Sequence, residues 1–202
     1  MKPNEPRKIH AVVVTRNNPR SFPDRNVYPL FGRPLVGWVL ASLKLAHHVD
    51  EVFVSTNDEA VGDVARGAGC SVIPRPEDLD HDRASRVEIV RHAVTWMYKE
   101  RFLDTDVVIS VRATIPELRR RDIDDAVDFL DRNNLRELVS VSSGRVQNDH
   151  LRLIHRRALF TTSLSTGIGV VKTGYRDVQS LDDIAALQAH YESRDRFDAI
   201  RE

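Results

Sequence analysis

Three guanidinium groups, Arg16, Arg20 and Arg25, fall within one polar stretch, Thr15 to Asn26, beside Asn17, Asn18 and Asn26. Arginine donors gathered on a loop suit the oxygens of a phosphate, each charge-assisted hydrogen bond contributing roughly 1.5–3 kcal/mol. The same composition also describes a solvated surface loop, and residue types alone leave both readings open. Arg75, Asp82, Arg112 and Thr114 bring further polar chemistry, each in a polar stretch that follows a short apolar tract.

Those apolar tracts are the elements that must position them. Ile9 to Val14 is short, β-branched and continuous, as a strand covered on both faces reads. Glu51–Thr56, Ser71–Ile73, Asp106–Val111, Leu138–Val141 and Ile168–Val171 read as further strands. Between them the apolar spacing predicts helices from Pro34, a residue suited to a first helical position, from Asp58 to a closing Gly67, from Ser85 to Arg101 and from Asp122 to Asn133. Strands alternating with helices predict an α/β fold of three αβα layers around a mainly parallel sheet. In such folds ligands sit beyond the carboxyl ends of the strands, which singles out Thr15–Asn26, Ser55–Asp58, Arg75–Ser85 and Arg112–Pro116. The stretch 142–165 breaks the rhythm. It reads as a small excursion, a dimerisation or lid element or a long loop, within a single domain over 1–202.

Composition narrows the class. The chain has 202 residues, and its 30 Lys+Arg balance 30 Asp+Glu, so it lacks the net positive field of a nucleic-acid binder. One cysteine excludes an internal disulfide and a cysteine-rich zinc site, and fits a reducing cytoplasm. No apolar run approaches the about 20 residues of a spanning helix, so no membrane is expected. His47-His48, Trp38, Trp96, Arg119-Arg120-Arg121, Gly167-Ile168-Gly169 and Cys70 read as structural.

The order Arg16, then Pro23-Asp24-Arg25-Asn26, then Pro29-Leu30-Phe31-Gly32-Arg33-Pro34-Leu35 resembles the cytidylyltransferases that activate acidic sugars, the makers of CMP-sialic acid and CMP-Kdo. The resemblance runs on through Val54–Glu59, Arg75-Pro76-Glu77-Asp78-Leu79, Asp82 and His92-Ala93, and fades between Val111 and Asp124. It implies a Rossmann-like nucleotidyltransferase fold, CTP with Mg²⁺, an anionic small-molecule acceptor and a homodimer. By the same resemblance Arg16 and Arg25 face the phosphates with the loop residues Asn17, Asn18 and Arg20. Asn26, Arg75 and Asp82 shape the nucleotide pocket, and Thr114, with Arg112 before it, lies between nucleotide and sugar. Asp177 holds Mg²⁺.

The chain also departs from that pattern. Asn17, Asn18 and Pro19 stand where relatives carry two glycines and a serine, and proline removes a donor N–H. Arg25 replaces a lysine, and Arg112-Ala113 replaces glutamine and proline. Ile115 stands for a serine, and Asp177-Val178-Gln179 keeps one of two aspartates. Arg112 suits an unusually anionic acceptor or an exposed strand end; Asp177 suits a metal or a turn. A nucleotide-binding protein without turnover, and a transferase using another base, are the competing expectations.

Overall fold

The computed structural model describes residues 7–15, 21–80, 84–161, 167–192, 195 and 197. Arg16, Asn17, Asn18, Arg20 and Asp82, all expected at the site, lie outside the described residues.

Strand β1 (Ile9–Val14) is buried along its whole length, as its uninterrupted apolar sequence requires. A short 3-10 turn, Arg25–Val27, leads to the small hairpin β2 (Pro29–Leu30) and β3 (Arg33–Pro34), and then to helix α1 (Leu35–Leu45). Pro34 is the residue before the first helical one, one position earlier than expected. After β4 (Glu51–Thr56) comes α2 (Glu59–Gly67), whose first turn is capped by Asp58 accepting from Val61 N at 3.2 Å. The residue that turns the chain away from α2 is Gly69, in the left-handed region, while Gly67 is still helical. Next come β5 (Ser71–Pro74) and α3 (Arg86–Arg101), which starts on a reciprocal Ser85–Glu88 capping box. Then follow β6 (Val107–Arg112), α4 (Arg120–Arg132), β7 (Glu137–Val141), β8 (Gln147–His155), α5 (Arg156–Leu159), β9 (Ile168–Lys172) and α6 (Leu181–Tyr191).

Among the described residues seven strands form one sheet in the order β5-β4-β1-β6-β8-β7-β9. Pairs β1–β4, β1–β6, β4–β5 and β7–β9 are parallel, and β8 runs antiparallel to both β6 and β7. Alternate residues of each strand enter opposite layers. Ala11, Val13, Ile109, Val111, Leu151 and Leu153 pack with α1, α2 and α4. Val12, Val14, Val108 and Ile154 pack with α3 and with Leu159 of α5. A third cluster, Leu30, Leu35, Trp38, Val178, Ile184, Leu187 and Phe197, seats α6 against α1. The expected three-layer architecture is present. Trp38 and Cys70 are buried as expected, and Arg120 and Arg121 open α4.

The stretch 142–165 differs from the expectation of an excursion from the sheet. Its residues Gln147–His155 are the longest strand among the described residues and lie inside the sheet. Arg152, on the face toward α3, is accommodated because its guanidinium grips the buried Glu137 of β7 at 2.6 and 2.7 Å. At the outer strand, Gly169 admits a close approach: a Cβ there would meet Leu135 Cδ1 at 2.3 Å.

Candidate functional site

The carboxyl ends of β1, β4 and β6 lie side by side, and the expected residues on these ends divide into two groups. Arg75, four residues past Ser71 and almost fully buried, works at the first. Its Nη2 donates to the carbonyls of Thr15 and Ser55 at 2.6 Å each, and its Nε reaches Ser55 Oγ at 3.4 Å. Its Nη1 pairs with Asp80 at 3.2 Å, and its backbone N–H donates to Asn57 Oδ1. The guanidinium thus ties the ends of β1 and β4 together.

The second group gathers Arg25, Asn26, Arg112, Thr114 and Asp177. Arg25 and Asn26 are buried in the 3-10 turn, held beneath α1 by Tyr28 N donating to Arg25 O and Leu35 N donating to Tyr28 O. Arg112 ends β6, and Thr114 follows two residues later, also buried. Asp177 arrives from the far side of the sheet, on the segment after β9. That segment is fixed by Val178 N donating to Thr114 O and by Arg176 N donating to Glu117 Oε2. Glu117 also accepts from Tyr191 Oη at 2.6 Å, which links the segment to α6.

Asp177 is the centre of this group. Its Oδ2 accepts from Arg112 Nη1 at 2.9 Å, and its Oδ1 accepts from Thr114 Oγ1. Arg25 Nη1 donates to Gln179 Oε1, two residues on. Burial pushes the Arg25 guanidinium below its usual value; Asp177 opposes that shift and Arg112 adds to it. Two donors here, Arg25 Nε and Arg112 Nε, are buried with no hydrogen-bond partner among the described residues.

Beside them lies a network that sequence reading missed. His150 Nδ1 is 3.2 Å from Thr173 Oγ1, which also accepts from Asn148 Nδ2, and Ser140 Oγ donates to Asn148 Oδ1. Burial lowers the His150 pKa, and Arg112 and Arg86 reinforce that against Asp177. The signal available in the sequence was the alternation His150-Leu151-Arg152-Leu153, which marks a half-polar strand.

The donor set fits the expected magnesium poorly. Mg²⁺ asks for near-octahedral oxygens at about 2.0–2.1 Å. Both Asp177 oxygens and the Gln179 carbonyl oxygen already accept hydrogen bonds, and two guanidinium groups stand against them. Among the described residues no group of three or more His, Cys, Asp or Glu is arranged to hold a metal ion. In this structure Asp177 is a partner of Arg112 and Thr114. No described helix is long and apolar enough to cross a membrane.

Comparison with known proteins gives the family. A family described as "Cytidylyltransferase" matches residues 11–193. N-acylneuraminate cytidylyltransferase A of Danio rerio is 26% identical over 140 residues, which cover 69% of this chain and 31% of that protein. The 3-deoxy-manno-octulosonate cytidylyltransferase of Psychrobacter cryohalolentis is 28% identical over 68 residues, 34% of this chain and 25% of the relative. The matched stretches thus span about a third or less of these curated relatives. Among solved structures, a CMP:2-keto-3-deoxy-manno-octonic acid synthetase complexed with CTP superposes with a TM-score of 0.72 at 16% identity. It covers 91% of this chain and 99% of its own.

Proposed function

Because the chain belongs to the cytidylyltransferase family, we propose that it transfers a cytidylyl group from CTP to an anionic acceptor, an acidic sugar of the class named by its relatives. An acceptor oxygen bonds to the α-phosphorus as the bond from that phosphorus to the bridging oxygen breaks, and pyrophosphate leaves. Little covalent chemistry falls to the protein in such a transfer; it positions the reactants and stabilises charge on the phosphate oxygens. Arg25 and Arg112 supply that charge, Thr114 and Asn26 line the cleft, and Arg75 ties the ends of β1 and β4 together. Any divalent ion enters as part of the nucleotide's own triphosphate complex. A homodimer belongs to the same reading.

The observation that supports this reading is the meeting of Arg25, Arg112 and Thr114 beyond the carboxyl ends of β1 and β6, where the fold places ligands. The test is pyrophosphate release from each of the four nucleoside triphosphates with a panel of 2-keto-3-deoxy sugar acids. Release with CTP and one acid is expected; release with a different triphosphate would reassign the base. A second reading, nucleotide binding without turnover, is favoured by the pairing of Asp177 with Arg112 and Thr114 and by Gln179 standing where relatives carry a second aspartate. It is the outcome if CTP raises the melting temperature while no acid yields pyrophosphate.

A further inference from the structure

Strands β7 and β8 pair in step from Glu137 to Val139, and the register then shifts between Val139 and Val141. Within the shifted stretch of β8, Asp149 takes φ 53°, in the left-handed region, and its carbonyl accepts from Arg86 Nη1 at the start of α3. Bulges of this kind re-aim the side chains that flank them. His150 follows Asp149. One position beyond the Val111–Leu151 pair, it comes alongside Arg112 at the end of β6. The charges acting on its buried ring are Asp177, Arg112, Arg86 and Asp149.

The hydrogen bonds around this ring can run in one direction only. Leu151 N donates to Ser140 Oγ at 3.0 Å, so the Ser140 hydroxyl proton goes to Asn148 Oδ1 at 2.6 Å. His150 N also donates to Asn148 Oδ1, at 3.3 Å, which sets the amide with its oxygen on that side. Asn148 Nδ2 can only donate, and it does so to Thr173 Oγ1 at 2.9 Å. The other neighbour of the Thr173 hydroxyl is His150 Nδ1, at 3.2 Å. A proton on Nδ1 would give Thr173 Oγ1 two donors and leave its own buried O–H without an acceptor among the described residues. The network closes when Thr173 donates to a bare Nδ1, which leaves the ring proton on Nε2. Burial does most to keep a second proton off the ring, and Arg112 and Arg86 add to it against Asp177 and Asp149. Nε2 itself makes no hydrogen bond to a described residue.

We propose that Ser140, Asn148 and Thr173 lock His150 in the tautomer protonated on Nε2, and that this neutral N–H is a specificity-determining hydrogen-bond donor to an oxygen of the acceptor. Ser140, Asn148 and Thr173 are positioning residues that act through the ring. With Nε2 already protonated, His150 is a donor and not the base toward an acceptor hydroxyl. An acid lacking the matching oxygen would leave the N–H unpaired, and that mismatch discriminates among acceptors. In the order β4-β1-β6-β8, His150 stands one strand farther than Arg112 from the β1–β4 ends that Arg75 joins. That its partner is the acceptor rests on the reading under Proposed function; the tautomer does not.

The test begins with isotope-labelled histidine and a two-bond proton–nitrogen correlation spectrum, which tells protonated ring nitrogens from bare ones. His150→Gln identifies the signals by their loss. At about pH 8, above the usual histidine range, the wild type is expected to show a protonated Nε2 and a bare Nδ1. Thr173→Val is expected to shift the ring toward the other tautomer, and Thr173→Ser, which restores the hydroxyl, to keep the wild-type pattern. In turnover with CTP and the preferred acid, His150→Phe is expected to raise the acceptor KM about three- to tenfold, the loss of one neutral hydrogen bond. CTP affinity in the same variant is expected to change less than about twofold, and His150→Gln, which keeps an N–H donor, to recover most of the acceptor KM. Thermal melts establish that the variants fold, and the wild-type spectrum stands without them. A wild-type ring protonated on Nδ1, or a pattern that ignores Thr173→Val, overturns the lock. An acceptor KM unmoved in His150→Phe, or a CTP affinity that falls as far, overturns the donor role. If no acid yields pyrophosphate, the transfer reading and the donor role fall together, while the spectrum still decides the lock.

Discussion

Two buried arginines, Arg75 and Arg25, face opposite situations. Arg75 has acceptors at each end of its fork: two carbonyls, a serine hydroxyl and Asp80. Arg25 has the Gln179 amide, while its Nε has no acceptor among the described residues. The lesson is that burial of a cation does not by itself mark a binding residue. What separates a brace from a ligand contact is whether the protein completes the hydrogen bonds of the side chain or leaves them for something else.

Replacing each arginine with an apolar side chain of similar length separates the two roles. Arg75→Met is expected to destabilise the fold by about 3–5 kcal/mol in urea unfolding, since it strands the carbonyls that join β1 to β4. A loss within about 0.5 kcal/mol, the size of an ordinary surface change, would break the comparison. Arg25→Met is expected to change stability by no more than about 1 kcal/mol, because a poorly paired buried charge contributes little net. The same variant is expected to weaken CTP about ten- to a hundredfold in calorimetry. Equal losses of stability in the two variants would erase the distinction.

A third, smaller effect comes from the histidines. Burial lowers the pKa of His10, His92, His150 and His155 below 6.5, so each stays neutral in the folded chain where the unfolded chain would bind a proton. Stability from these groups is full above that value and declines as the pH falls through it toward the folded values. The urea midpoint should therefore drop between about pH 7.5 and about pH 5.5, and His10→Gln should reduce the drop. The two rings also separate along the line drawn by the arginines. His10 is satisfied by Thr105 Oγ1 at 2.7 Å in the interior, whereas Asp177, Arg112 and Arg86 all act on His150 at the cleft.

Much of this was legible in the residues. Ile9–Val14 and Val107–Val111 announce doubly covered strands because neither face meets water, and Ser85 with Glu88 marks the start of α3 through a contact three residues long. Strand β8 was legible only as the alternation from His150 to Leu153, and its place inside the sheet was not. Its polar face is tolerable only because Arg152 finds Glu137, and that partner belongs to a neighbouring strand that sequence periodicity does not identify. The partners of Asp177 were hidden for the same reason. Its spacing to Gln179 was plain, but the residues that occupy its oxygens, Arg112 and Thr114, precede it by 65 and 63 positions. Both are cases in which a local pattern leaves a distant partner unnamed.

The placement of β8 between β6 and β7 has a consequence for how the two halves of the sheet are held together. β6 and β7 do not pair directly, so the strand that ends at Arg112 is joined through the antiparallel β8 to the half of the sheet that leads to Asp177. A substitution that loosens β8 is therefore expected to reach the Arg112–Asp177 contact without touching either residue.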